Sequence, residues 1–244
     1  MRPFDTLRTG PLVISHAACA GHAPENTLAG IRAALGIGAD AVEIDVQASA
    51  DGVPVLMHDL SVDRTTNGSG DLASLTLAKL QALDAGGEPV PTFAEALALS
   101  RGRALLVAEI KRPGCEEALA EDVREAHALA DVMVWSFLPP ALEAMRAAEP
   151  RLPGALLIAQ QSAANWPAMR ELALRIGLQA VSVYHASLDE AIVASARRSG
   201  HAVYAWTADA EPDIERLLAL GVDGIVSNRP ERVLAAVGRP AGRP

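Results

Sequence analysis

The stretch AVSVYHASLDEAIVASARRSGHAVYAWT, residues 180–207, holds one full copy of the pattern that decides the fold. Its first residues, 180–184, are a short run rich in β-branched side chains, and 188–198 has helical periodicity. Gly200 then ends the helix, and a second β-branched run follows at 202–207. The order strand, helix, glycine, strand predicts two parallel strands joined by a helix.

This unit recurs about eight times along the chain, and no linker divides the chain into halves. We therefore predict an α/β fold, a (β/α)8 TIM barrel made by one domain of residues 1–244 with its core at about 11–238. The predicted strands cover 12–17, 41–47, 54–58, 104–110, 131–137, 154–159, 180–184, 202–207 and 224–227. The predicted helices cover 27–35, 92–99, 116–129, 141–148, 166–175, 188–198, 212–220 and 230–237, with Gly36, Gly38, Gly177, Gly200, Gly221 and Gly238 as their stops.

One predicted strand exceeds the number that the barrel needs. The run at 54–58 follows the turn signal Asp51-Gly52, so we expect either a segment that returns over the barrel mouth or an extension of the second strand. The polar stretch 59–71, rich in Thr, Asn and Gly, follows it as a small insertion.

Composition limits the kinds of partner. Half of the residues are apolar but only 3% are aromatic, as in parallel sheets covered by helices. A net charge of −9 argues against a nucleic-acid surface and against stable membrane association, so we expect a small-molecule substrate. Ala-rich helix faces leave a homo-oligomer open.

Location is predicted from what the chain lacks. The N-terminal residues carry no long apolar segment, and no run reaches the roughly 20 apolar residues of a membrane span, so we expect a cytoplasmic protein. Two cysteines, Cys19 and Cys115, are too few for a disulfide framework and are expected to be buried thiols.

Charged side chains interrupt two of the predicted strands. Glu43 and Asp45 share one face of VEIDV, and Glu109 and Lys111 share one face of AEIK. Both pairs end their strands, and in a barrel such ends form the active-site mouth. Three carboxylates in a buried site stay ionised together only around a cation, and oxygen ligands favour Mg²⁺ or Ca²⁺. A structural ion pair is the alternative for Glu109 and Lys111.

Two histidines and a tryptophan lie at comparable positions. His16 ends the first strand and His58 follows the extra run, and an imidazole that titrates near neutral pH suits a general base or a general acid. Trp206 ends the seventh barrel strand. His185 follows the sixth strand, where it could line the mouth, although a structural role is the simpler interpretation.

An ordered series of motifs carries a resemblance to a known family. The chain resembles the glycerophosphodiester phosphodiesterases from about the first strand to the eighth. The resemblance implies a barrel enzyme that uses a divalent cation to cleave deacylated phospholipids into glycerol phosphate and an alcohol. The motifs are His16, Ala23-Pro24-Glu25-Asn26-Thr27, Glu43-x-Asp45, Asp51-Gly52-Val53-Pro54-Val55, His58-Asp59, Asp63-Arg64-Thr65-Thr66-Asn67-Gly68, Glu109-Ile110-Lys111, Ser136-Phe137, Trp206-Thr207 and Asp223-Gly224-Ile225-Val226.

The resemblance also implies residue roles. The implied cation would polarise a phosphoryl oxygen, while one histidine activates the nucleophile and the other protonates the departing alkoxide. The nucleophile is left open, since the glycerol hydroxyl of the substrate could serve. The implied metal ligands are Glu43, Asp45 and Glu109, the catalytic pair is His16 and His58, Lys111 binds phosphate, and Trp206 walls the pocket.

One departure from the family pattern bears on the substrate. The family usually has His-Arg-Gly where this chain has His16-Ala17-Ala18, and that arginine contacts the phosphate. Arg64 in the insertion or Arg229 before the last helix could replace it. If neither arginine replaces it, the chain is a related phosphodiesterase or lyase that acts on another substrate, or a catalytically weak barrel that binds a ligand. A barrel that abstracts a proton with Lys111 as base is a further rival.

Two milder departures lie at the rim. Asp209 stands where the family often has Asn, and Ser227-Asn228-Arg229-Pro230 replaces a more usual Thr-Asp-aromatic-Pro. We expect these changes to alter the rim of the site and to leave the metal ligands unaffected.

Overall fold

The computed structural model describes residues 10–244, and within them the strands form a closed barrel. Eight strands run parallel around the barrel, which closes because the first strand pairs with both the second and the last. The predicted (β/α)8 fold is therefore confirmed. The strands are β1 (Leu12–Ser15), β2 (Ala41–Ala48), β3 (Pro54–Leu56), β4 (Leu105–Ile110), β5 (Val132–Ser136), β6 (Gly154–Ile158), β7 (Ala180–Tyr184), β8 (Ala202–Trp206) and β9 (Gly224–Ser227).

Helices between the strands cover the outside of the barrel. All eight predicted helices are present, with α4 ending four residues early because His127 has a left-handed φ of 51°. Gly36 lies inside α1, and Gly38 is the residue that ends it. The helices are α1 (Leu28–Ile37), α2 (Leu77–Gln81), α3 (Phe93–Ser100), α4 (Glu116–Glu125), α5 (Pro139–Ala148), α6 (Gln160–Ala163), α7 (Trp166–Ile176), α8 (Glu190–Arg198), α9 (Glu211–Leu220) and α10 (Pro230–Ala236).

The alternation of side chains along each strand separates two cores. In β2, Val42, Ile44 and Val46 pack outward against the helices, whereas Ala41 packs inside the barrel. Glu43 and Asp45 share the inward face with Ala41, because successive side chains of a strand point to opposite sides. In β4 the inward face runs through Leu105 and Val107 to Glu109, and Lys111 follows directly after the strand. The charged residues therefore follow the apolar interior toward the mouth.

The extra strand β3 turns back along the end of β2. Val46, Gln47 and Ala48 pair antiparallel with Leu56, Val55 and Pro54, so the run is a returning segment and does not extend β2. The side-chain amide of Gln47 donates hydrogen bonds to the carbonyl oxygens of Met57 (2.9 Å) and Asp59 (2.7 Å). These bonds hold the His58 segment at the mouth.

The insertion that follows β3 has an apolar core of its own. This small core brings side chains of β3 together with those of the following short helices, including α2. Neither α2 nor α6 was predicted, since five and four residues are too short to show helical periodicity. The members of the small core are Val55, Met57, Val62, Leu72, Leu80, Ala85 and Val90.

The loop between β1 and α1 is tightly folded. Ala17 and Ala18 both have left-handed φ values, 45° and 66°, which are uncommon for residues other than glycine. Ala18 is fully buried against α1 at Gly30. A Cβ added to Gly30 would lie 2.9 Å from the Cβ of Ala18 and 3.2 Å from the backbone nitrogen of Cys19. Both cysteines, Cys19 and Cys115, are buried free thiols.

Among the helices described between residues 10 and 244, none combines the length and apolar character that crossing a membrane requires.

We expect Gly30→Ala to lower the free energy of unfolding by about 1–3 kcal/mol, because the new methyl group overpacks against a rigid side chain and backbone. This is the reverse of the gain of about 1 kcal/mol that alanine gives in an open helix. Urea unfolding measures the change. In the Ala18→Gly background the nearest obstructing atom is absent, so Gly30→Ala should cost less there than in the wild type. Equal losses in the two backgrounds would contradict the packing argument.

Candidate active site

Three carboxylates meet at the mouth of the barrel. Glu43, Asp45 and Glu109 each offer an oxygen atom, and these atoms lie within 4.8 Å of one another. The register of β2 and β4 places Asp45 directly beside Glu109. All three residues are buried, with exposed fractions of 3%, 2% and 8%. Such a cluster needs positive charge, since ionised carboxylates in a low-dielectric site repel one another.

Glu43 has a free oxygen atom. Its Oε2 accepts a hydrogen bond from the backbone N–H of Ala17 at 2.8 Å, while its buried Oε1 has no partner among the residues that the structure describes. Burial, together with the charges of Asp45 and Glu109, raises the pKa of Glu43 well above its ordinary value. An unpartnered carboxylate oxygen beside two more carboxylates suits a hard divalent cation such as Mg²⁺ or Ca²⁺. The residues present therefore fit a bound metal ion.

Asn26 holds Asp45 from both sides. Its side-chain amide donates to Oδ2 of Asp45 at 2.7 Å, and its Oδ1 accepts from the backbone N–H of Asp45 at 2.9 Å. Asn26 has a left-handed φ of 55°, which asparagine tolerates better than most residues. The motif Pro24-Glu25-Asn26-Thr27 is part of the family resemblance in the sequence, but the sequence alone assigns no role to Asn26.

Lys111 neutralises part of the cluster. Its Nζ lies 2.6 Å from Oε1 of Glu109 and 3.4 Å from Oδ1 of Asp45. Burial alone would lower the pKa of Lys111, but the adjacent carboxylates raise it above its ordinary value. Burial and the charge of Asp45 raise the pKa of Glu109, against the effect of Lys111. Three ionised carboxylates and one ammonium leave a net charge of −2, which a divalent cation would balance.

Both predicted histidines line the same cavity as the carboxylates. Nδ1 of His16 lies 2.8 Å from Oδ1 of Asn228, and Nδ1 of His58 lies 2.7 Å from Oδ1 of Asp59. Each imidazole therefore uses Nδ1 for a protein partner. Sequence reasoning missed the partner residue Asn228, which lies 212 positions from His16 and leaves no local signal.

Aromatic side chains form one wall of the mouth. The rings of Phe137 and Tyr184 contact Trp206 edge to face, with centroid distances of 5.3 and 5.6 Å. Nε1 of Trp206 donates to the carbonyl oxygen of Ser182 at 3.1 Å, which fixes the plane of the indole. The residues lining the cavity are His16, Glu43, Asp45, His58, Glu109, Lys111, Trp135, Phe137, Leu157, Trp206 and Val226.

Two predicted cations do not line that cavity. The guanidinium of Arg64 donates to both carboxylate oxygens of Glu25, at 2.9 and 2.6 Å, and to both of Asp59, at 2.5 and 3.1 Å. Arg64 thereby lowers the pKa of Asp59 and reaches His58 only through that carboxylate. Arg229, which lies just before α10, does not line the cavity either. His185 also lies outside the cavity lining, and its Nδ1 is 3.6 Å from Oδ1 of Asp213.

The barrel and its mouth define a class of protein, and comparison with known proteins identifies the family. The model of the glycerophosphoryl diester phosphodiesterase family matches residues 16–232. The glycerophosphodiester phosphodiesterase of Caldanaerobacter subterraneus subsp. tengcongensis is 34% identical over 240 residues, covering 93% of this chain and 97% of that protein. A glycerophosphodiester phosphodiesterase of Bacillus subtilis is 32% identical, covering 90% of this chain and 84% of that protein.

Solved structures show the same similarity. An Oleispira antarctica phosphodiesterase in complex with the product sn-glycerol-3-phosphate is 28% identical, with a TM-score of 0.83 over 93% of this chain and 97% of that one. The glycerophosphodiester phosphodiesterase of Agrobacterium tumefaciens is 28% identical, with a TM-score of 0.81 over 92% and 99%. The class is therefore that of the phosphoric diester hydrolases. Within it, the chain belongs to the glycerophosphoryl diester phosphodiesterase family.

We expect Glu43→Gln to stabilise the cation-free protein and to remove its response to cations. The amide keeps an oxygen for the N–H of Ala17 and adds a donor toward the carboxylates, which should contribute about 1–3 kcal/mol. Each kcal/mol corresponds to about 2–4 °C in melting temperature for a chain of this length. Calorimetry with and without Mg²⁺ or Ca²⁺ measures both effects.

Glu116→Gln is the matched control for this experiment. Glu116 is also buried, and its Oε2 accepts a hydrogen bond from the N–H of Gly114. Its Oε1 has no partner within residues 10–244, but Glu116 lies outside the carboxylate cluster. Its replacement should leave the response to cations intact. A cation-induced rise in melting temperature that survives in Glu43→Gln would contradict the metal site.

The cluster should also give the cation-free protein a characteristic pH dependence. Because the pKa values of Glu43 and Glu109 are raised in the folded protein, the folded state binds more protons than the unfolded state above the ordinary glutamate range. Its free energy of unfolding should therefore fall as pH rises from about 5 to 8, relative to Glu43→Gln. Urea unfolding across this range measures the slope of the free energy of unfolding against pH. Saturating cation should remove this slope, and identical slopes in the wild type and in Glu43→Gln would contradict the raised pKa of Glu43.

Proposed function

We propose that this protein hydrolyses a glycerophosphodiester to glycerol phosphate and an alcohol in a reaction that depends on a divalent cation. The observation that carries the proposal is that the carboxylate cluster, Lys111 and both histidines line one cavity. The relative from Oleispira antarctica, bound to sn-glycerol-3-phosphate, supports this choice of product. A cytoplasmic location remains a prediction.

Glu43, Asp45 and Glu109 would hold the cation, with Mg²⁺ or Ca²⁺ as the candidates. When bound, the cation would polarise a phosphoryl oxygen and offset the negative charge of the diester. Lys111 offers its ammonium group to a second phosphoryl oxygen, once the diester competes for it with Glu109 and Asp45. Losing charge stabilisation of this kind typically costs ~10²-fold or more in rate.

His16 and His58 would exchange the protons of the reaction. Both use Nδ1 for a partner within the protein, so Nε2 is the atom that each directs to substrate. One imidazole accepts the proton of the nucleophile, which is water or the glycerol hydroxyl. Attack by water gives glycerol phosphate directly, whereas attack by the glycerol hydroxyl first gives a cyclic phosphate that a water molecule must then open. The other donates a proton to the alkoxide as the phosphorus–oxygen bond to the alcohol breaks. Proton transfer of this kind typically contributes about 10²–10⁴-fold in rate.

Trp206 and the aromatic wall around it would contact the organic part of the diester. Trp206 is half-buried at the end of β8, and Phe137 beside it is 36% exposed. Apolar ring faces at the edge of a charged cavity suit a carbon-rich moiety better than a second charged phosphate. We therefore assign this wall to the glycerol or alcohol moiety.

The activity is tested by product release from a panel of glycerophosphodiesters, with added cation or with EDTA. We expect glycerol phosphate to form only with cation, and Glu43→Gln to lower the rate ~10²-fold or more. His16→Gln and His58→Gln should each lower kcat by about 10²–10⁴-fold. Glu116→Gln again serves as the matched control.

Other outcomes of the same assay would select the rival functions. A cyclic phosphate that accumulates as the final product, without being opened by water, would indicate a lyase reaction. Tight cation binding without turnover of any diester would overturn the proposed hydrolysis and favour a barrel that only binds its ligand. The departure at Ala17 makes this arm of the experiment necessary.

Arg64 and Arg229 are the candidates to replace the phosphate contact that Ala17 lacks. If either binds the phosphate, its replacement by Gln should raise KM with little change in kcat. Arg64 is engaged by Glu25 and Asp59, so Arg64→Gln is expected also to lower kcat through His58. Steady-state kinetics of Arg64→Gln, Arg229→Gln and the double variant measure both parameters. An unchanged KM in all three variants would refute the idea that Arg64 or Arg229 supplies the missing phosphate contact.

A further inference from the structure

A row of hydrogen bonds behind His16 joins three strands of the barrel. His16 follows β1, Asn228 follows β9, and Asp209 follows β8. Nδ1 of His16 lies 2.8 Å from Oδ1 of Asn228, and Nδ2 of Asn228 donates to Oδ2 of Asp209 at 2.8 Å. Neither Asn228 nor Asp209 lines the cavity.

Asp209 can only accept hydrogen bonds from its neighbours. Its Oδ1 accepts from the hydroxyl of Ser227 and from the backbone N–H of Asn228, both at 2.8 Å. Burial alone would raise the pKa of Asp209, but the hydrogen bonds from Asn228 and Ser227 lower it below its ordinary value. An ionised carboxylate only accepts hydrogen bonds. The atom of Asn228 that faces Oδ2 of Asp209 must therefore be the amide nitrogen.

The orientation of Asn228 in turn determines where His16 carries its proton. With its nitrogen directed to Asp209, the side chain of Asn228 presents Oδ1 to His16, and a carbonyl oxygen only accepts. Nδ1 of His16 must donate across the 2.8 Å contact, so the neutral ring keeps its free electron pair on Nε2. A flipped Asn228 would set two acceptors against each other at Asp209, at the cost of a charge-assisted hydrogen bond.

We propose that Asp209 and Asn228 are positioning residues, which lock His16 in the tautomer whose Nε2 accepts a proton in the cavity. The catalytic part of this inference rests on the proposed function of His16. The tautomer itself follows from the hydrogen bonds and can be measured without turnover. His58 differs, because its Nδ1 faces the carboxylate of Asp59 directly, without an amide between them.

Reciprocal exchange of the two side chains tests the inference. Asp209→Asn leaves a single acceptor oxygen at position 209, which Ser227 and the N–H of Asn228 already occupy. Its amide nitrogen would then face the nitrogen of Asn228 and force that side chain to flip. Asn228→Asp instead sets two carboxylates against each other. The double variant Asp209→Asn/Asn228→Asp restores one donor and one acceptor and keeps an acceptor for Nδ1 of His16.

The main readout is the pair of ¹⁵N chemical shifts of the His16 ring, assigned with His16→Gln and recorded where the ring is neutral. We expect the wild type to carry hydrogen on Nδ1, Asp209→Asn to move it toward Nε2, and the double variant to return it to Nδ1. We expect kcat to fall about 10–100-fold in Asp209→Asn with little change in KM, and to recover to within about tenfold of wild type in the double variant.

Asp213→Asn is the matched control, since it removes a carboxylate beside His185, a histidine outside the cavity. It should leave the His16 signals and kcat unchanged. Hydrogen on Nε2 of His16 in the wild type would overturn the proposal, and so would an Asp209→Asn variant with unchanged shifts and kcat. The wild-type spectrum decides the tautomer even if a variant fails to fold. Absence of turnover in the wild type would refute the proposed function alone.

Discussion

Repulsion among Glu43, Asp45 and Glu109 is the interaction around which the mouth of the barrel is arranged. Strand register places these carboxylates side by side in a buried position, and each has its own support. Ala17 donates a backbone N–H to Glu43, Asn26 holds Asp45, and Lys111 pairs with Glu109. The strained loop after β1 is part of this arrangement, since its left-handed turn directs the N–H of Ala17 toward the cluster.

The sequence predicts the parts of this molecule that depend on local periodicity. Alternation along β2 and β4 identifies the inward carboxylates, and the repeated strand, helix and glycine pattern identifies the barrel. Two short helices, α2 and α6, carry too few residues to show a period. The partners of the site are harder to predict, because the contact of His16 with Asn228 spans 212 positions and that of Arg64 with Glu25 spans 39.

The two departures from the family pattern at the rim, Asp209 and Asn228, are joined by one hydrogen bond. Relative to the pattern that the family resemblance implies, Asp209 and Asn228 exchange amide and carboxylate, and the two side chains face each other at 2.8 Å. A donor must oppose an acceptor there, so a change at one position is tolerated when the other changes with it. Considered separately in the sequence, the two substitutions look like unrelated changes of the rim.

His58 and the three carboxylates belong to different packing units of the molecule, the insertion and the barrel. The carboxylates belong to barrel strands, whereas His58 lies beside Met57 in the insertion, whose small core includes Val62 and Leu72. Substitutions in that small core can therefore shift His58 while the three carboxylates stay in place. Under the proposed function, evolution could alter the histidine carried by the insertion without rebuilding the barrel that carries the other.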